Sequence, residues 1–135
     1  MPKQFLRRTL LAGAGAFVLD GSSSSTRLTP EQFVVSATQI RYWTFTADAR
    51  TVMVGRFQAA GGSGNDIRVI VTDPDGFGNF RNGHTIQPLY YSGKVTVGRL
   101  NMRFPARGEY YLVFDNTFSR ISPKEISSDL VLTYY

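Results

Sequence analysis

Short strand-like runs separated by turn signals follow one another from Phe33 to the end of the chain, and no stretch sustains a helical period. This constrains the fold most, because a period of two builds sheets whose alternate side chains point to opposite faces. Residues 66–72 are the clearest case: Ile67, Val69 and Val71 face a core while Arg68 points out. Residues 33–37, 39–46 and 51–58 precede it as strands. In residues 39–46, Ile40, Tyr42 and Thr44 share one face and Arg41, Trp43 and Phe45 the other, so both faces carry apolar groups. That places this strand in the interior of a sheet.

The punctuation between runs sets the architecture. Residues 59–65 form a glycine-rich loop, and Asp73-Pro74-Asp75-Gly76 has the residues of a tight turn. Residues 77–83 read as a loop and 85–91 as a short strand. Over residues 93–104 the apolar phase slips by one. Val95 and Val97 sit at odd positions, whereas Leu100, Met102 and Phe104 sit at even ones. A bulge or a change of strand at Gly98 would let both halves point inward. Residues 105–108 reverse the chain into a strand over 109–115, with Tyr110, Leu112 and Phe114 facing one way, and residues 129–135 close the domain. The count, about eight strands, fits an all-β, antiparallel, jelly-roll-like sandwich. A length of 135 residues allows one core, and 10 Phe and 7 Tyr supply the bulk to fill it.

The first 20 residues stand apart. Lys3 and Arg7-Arg8 are followed by an apolar run from Leu10 to Leu19, too short to span a bilayer, with Ala14-Gly15-Ala16 offering a small-x-small cleavage site. This predicts an exported chain, periplasmic or extracellular, and Arg7-Arg8-Thr9-Leu10-Leu11 resembles a twin-arginine signal with Leu6 where a Ser or Thr is usual. Residues 21–30 then read as a serine-rich linker and 31–135 as the domain.

Several chemistries are excluded by residue type. With no cysteine there is no disulfide scaffold, thiolate nucleophile or Cys-ligated zinc. The net charge of +5 is inflated by the leader, which holds three of the fifteen basic and one of the ten acidic groups and leaves +3 for the rest. The remaining cations, Arg56, Arg99 and Arg103 among them, are scattered singly between strands, which is not the footprint of a nucleic-acid groove. No Walker loop occurs, and no cofactor is implied.

The run Gly108-Glu109-Tyr110-Tyr111-Leu112-Val113-Phe114-Asp115-Asn116-Thr117-Phe118-Ser119, followed by Ser122-Pro123-Lys124 and Asp129-Leu130-Val131-Leu132-Thr133-Tyr134, resembles the GOLD domain of the emp24/gp25L/p24 family, most of all its small stand-alone bacterial members. The block at residues 55–67 fits the same pattern, so the resemblance covers 33–135. It implies a β-sandwich that binds and assembles rather than catalyses. Members of the p24 family use the domain to contact cargo and each other. The sequence carries no cysteine pair and no membrane-length apolar run, so the fold and the idea of protein contact, or self-association, are what the resemblance brings.

The remaining site candidates each have a structural counterpart. Asp115-Asn116-x-Phe118-Ser119 reads as a turn closed by side-chain-to-backbone bonds rather than a ligand rim, with Lys124 as a partner for Asp115. Asp66, Asp73 and Asp75 could donate oxygens to calcium, although the turn explains two of them. The same Asp66 and Asp73 are the carboxylates a hydrolase would use, at a separation of roughly 5–9 Å. His84, the lone histidine, has no Gly-x-Ser-x-Gly elbow to serve and reads as a loop residue. Trp43, Tyr90, Tyr91 and Tyr135 are candidate contact aromatics, equally suited to stacking on a sugar or to a protein interface.

Overall fold

The computed structural model describes residues 23–61 and 64–135, so the leader and its cleavage signal lie outside the described residues. The period-two runs become nine strands in chain order: β1 (Ser24–Arg27), β2 (Gln32–Val35), β3 (Ile40–Ala47), β4 (Val52–Ala60), β5 (Ile67–Thr72), β6 (Tyr90–Val95), β7 (Val97–Arg103), β8 (Gly108–Asp115) and β9 (Lys124–Tyr134). They form two antiparallel sheets. In the first, β9 pairs with β4, which pairs with β7, while β1 and β2 pair with β9. The second has the order β3-β8-β5-β6.

The inward faces supply one core, in which Phe45, Phe57, Phe114, Leu112, Leu130 and Leu132 are buried. Phe114 takes edge-on contacts from Phe33, Trp43 and Phe57. These are favoured geometries for aromatic quadrupoles. At the start of β8, the Tyr110 hydroxyl donates to the Ala106 carbonyl at 2.6 Å, pinning the 105–108 reversal.

Four expectations change. Residues 74–81 form a helix, α1 (Pro74–Arg81), not a turn and loop. Asp73 is its N-cap, accepting from the Gly76 N–H at 2.7 Å, and Pro74 begins its first turn. Phe77 and Phe80, three residues apart, pack with Ile70 and Val113 on the outer face of the second sheet. β3 pairs with β8 alone and is an edge strand, not the interior strand its two apolar faces suggest; its second apolar face, Tyr42 included, is covered by this helix layer.

The phase slip is a change of sheet. β6 ends at Val95 in the second sheet and β7 begins at Val97 in the first, so the chain crosses at Thr96 rather than at Gly98. Val97 faces solvent, while Gly98 lies against the buried Phe57 ring. Residues 24–27, expected in the linker, form β1, whose Thr26 faces inward.

Candidate functional site

The four contact aromatics do not meet on one surface. Trp43 is 7% exposed and belongs to the core, capped by the Arg41 guanidinium 5.2 Å from its ring, which corrects its expected surface role. Tyr90 is half-buried against the core, and burial raises its phenol above the ordinary value of 10.0. Tyr91 and Tyr135 are 54% and 56% exposed. Tyr91 sits on β6 of one sheet and Tyr135 follows β9 of the other. The adjacent Tyr134 is half-buried and donates to the Thr46 carbonyl at 3.0 Å.

The carboxylates are likewise apart. Asp66 precedes β5 and Asp73 follows it, so the length of a six-residue strand, roughly 20 Å, lies between them. Asp66 accepts from the Thr96 hydroxyl at 3.2 Å, while Asp73 is committed to capping α1 and Asp75 lies in its first turn. Among the described residues no three His, Cys, Asp or Glu side chains are placed to hold a metal ion. His84 is exposed, its ring 3.5 Å from Asn79 Oδ1.

The block 115–124 is a buried polar clasp. Asn116 donates through Nδ2 to the carbonyls of Val35, Ser36 and Ser122, tying the β2–β3 connection to the loop before β9. Its Oδ1 accepts from Lys124 Nζ at 2.9 Å, and the same ammonium donates to the Asp66 carbonyl at 2.8 Å. Lys124 is 2% exposed, and this burial, reinforced by Lys94, holds its pKa below the ordinary 10.5 against the attraction of Asp66. Asp115 pairs with Arg68 at 3.1 Å and caps Thr117, so the expected Lys124–Asp115 pairing does not form. Phe118 lies over the assembly with Arg68, Lys94 and Lys124 all within 5.1 Å of its ring centre. These bonds tie strand ends and connections of the fold to one another, which is what an architectural role for the motif requires.

The outer face of the first sheet is different. No described residue covers it, in contrast to the second sheet beneath α1. Cross-strand register arranges it in rows. Val131, Val54 and Asn101 form one row across β9, β4 and β7; Asp129, Arg56 and Arg99 form the next; Ser127, Gln58 and Val97 form a third. Val54 and Val97 are exposed on this face, as is Val34 at the β2 edge. Arg27 and Arg103 flank the rows. Arg27, Arg56, Arg99 and Arg103, far apart in sequence, are thus brought to one sheet by its register. Period two marks Arg56 and Arg99 as outward-facing, but which strands become neighbours has no local signature.

A family model described as emp24/gp25L/p24 family/GOLD matches residues 32–133. Among solved structures, a periplasmic lysozyme inhibitor of g-type lysozyme, PliG of Aeromonas hydrophila, is similar at 14% identity and a TM-score of 0.44, covering 80% of this chain and 85% of that one. That similarity is too low to inform fold or function. No curated protein sequence matches the chain.

Proposed function

The chain belongs to the emp24/gp25L/p24 family with a GOLD domain, and from that premise we propose that it is a non-catalytic, exported module that binds a protein partner through the outer face of its first sheet. The observation that carries this reading is the contrast between the two sheets. One is finished on both sides by core and helix layer, while the other presents an outer face of arginines, amides and exposed valines. Arginine and aliphatic groups without lysine make a composition suited to an interface rather than to a solvated surface. Export rests on the basic-apolar leader of residues 1–20.

A carbohydrate-binding sandwich is the alternative, and it needs coplanar exposed aromatics. Burial of Trp43 and separation of Tyr91 from Tyr135 on different sheets weigh against it. Size-exclusion with light scattering on extracts of the native cells at low salt tests the proposal. A complex heavier than the 15.0 kDa chain, containing a second protein, is expected. A lone monomer that binds an oligosaccharide array overturns it.

A further inference from the structure

Arg56 on β4 and Arg99 on β7 are direct cross-strand partners, and both are exposed on the uncovered face. Like charges opposite one another in a sheet destabilise it. The acid that register places on the other side of Arg56 is Asp129, but its carboxylate is engaged by Arg27 at 2.6 Å. Arg27 also reaches Glu31 at 3.7 Å. Among the described residues neither Arg56 nor Arg99 has an ion-pair partner. Two guanidiniums without an ion pair among the described residues therefore stand side by side on the open face, Arg99 on the edge strand β7, with Val54, Asn101, Gln58 and Val97 as uncharged neighbours above and below them. A like-charged pair of this kind is expected to cost the sheet stability, and among the described residues no ion pair of either arginine offsets it.

We propose that the Arg56–Arg99 pair is the docking point for an acidic partner protein, which presents two neighbouring Asp or Glu carboxylates to the two guanidiniums. The inference rests on the protein-binding reading of this face and names its chemistry. Planar guanidiniums bind carboxylates in forked, two-bond geometry, and arginine is among the residues that most often carry an interface's affinity. A second copy of this chain is a poor occupant, because its equivalent face would set arginine pair against arginine pair.

The test uses the full chain, a double variant Arg56→Thr/Arg99→Thr that keeps β-forming residues, and a charge-matched control Lys94→Ser/Arg120→Ser away from this face. A fluorescent peptide of six alternating Glu and Asp residues, its Gln/Asn counterpart and a single-stranded DNA oligonucleotide serve as probes at low salt. The acidic peptide should bind the parent and the control alike and the double variant at least about tenfold more weakly, the loss expected for one good ion-pair contact. The double variant should also melt about 1–4 °C higher than the parent at low salt, a gain that shrinks as salt is added. Equal loss of peptide binding in both variants, an unchanged or lower midpoint for the Arg56→Thr/Arg99→Thr chain, or tighter binding of the oligonucleotide than of the peptide overturns the proposal. In native cells, a complex that survives Arg56→Thr/Arg99→Thr overturns the arginine assignment alone, whereas absence of any complex with the parent chain overturns the protein-binding reading beneath it.

Discussion

Gly98→Ala isolates the packing across the first sheet. Its backbone is in a conformation open to any residue, so the whole cost is steric. A Cβ at this position would lie 2.7 Å from Cε2 and 3.0 Å from Cε1 of Phe57, closer than the roughly 3.5–4.0 Å of a carbon–carbon contact by about 1 Å. Phe57 is fully buried and meets Phe114 edge-on at 6.0 Å, so its ring can retreat only by displacing the centre of the core. Overpacking of this kind costs about 1–3 kcal/mol, or about 4–12 °C of thermal midpoint for a domain of this size. Trp43, the one tryptophan and itself in the core, reports the transition by fluorescence. In a Phe57→Leu background the Gly98→Ala penalty should fall below half, because the clashing ring is gone. A Gly98→Ala midpoint within about 1 °C of the parent, or an equal penalty in both backgrounds, would refute the reasoning.

Three further outcomes follow from the clasp and the helix cap. Lys124→Met leaves the Asp66 carbonyl and Asn116 Oδ1 without their donor and should cost about 2–3 kcal/mol in urea unfolding; a loss under about 0.5 kcal/mol contradicts the role given to the ammonium. Because the folded pKa of Lys124 lies below 10.5, the unfolded chain holds more protons between those values. Parent stability relative to Lys124→Met should therefore rise with pH across that window, and a flat or falling difference contradicts the burial effect. Asp73→Ala removes the α1 cap at a cost of about 1 kcal/mol, with Asp73→Asn near the parent; equal midpoints for Asp73→Ala and the parent would contradict the cap.

What could be read from sequence was decided by side chains that announce their own environment. β5 and β8 were legible because Ile67, Val69, Val71, Leu112 and Phe114 alternate or cluster as buried strands must. β1 was not, since of Ser24–Arg27 only Thr26 is buried, and the segment is held to β9 by strand pairing that polar side chains do not signal. α1 escaped because two glycines in eight residues dilute its period, leaving only Phe77 and Phe80, although Asp73-Pro74 is the opening of a helix as much as of a turn. The first half of β9 is hidden because, of its inward residues Lys124, Ile126 and Ser128, two are polar where hydrophobes are expected. In the clasp the bonds to the backbone are those the sequence suggests, but Lys124 bonds Asn116 and not the adjacent Asp115, a choice that sequence neighbours do not reveal. The arginine pair depends on strand order, which local pattern does not encode.

The most direct measurement of where this domain binds is photo-crosslinking in native cells, with a benzophenone amino acid placed at Gln58 on the open sheet face or at Asn79 on α1. Both sites are exposed, and they lie on opposite outer layers of the sandwich. The account predicts a discrete protein adduct from Gln58 and none from Asn79. An adduct from Asn79 with none from Gln58 would contradict it, and would move the binding surface to the helix layer.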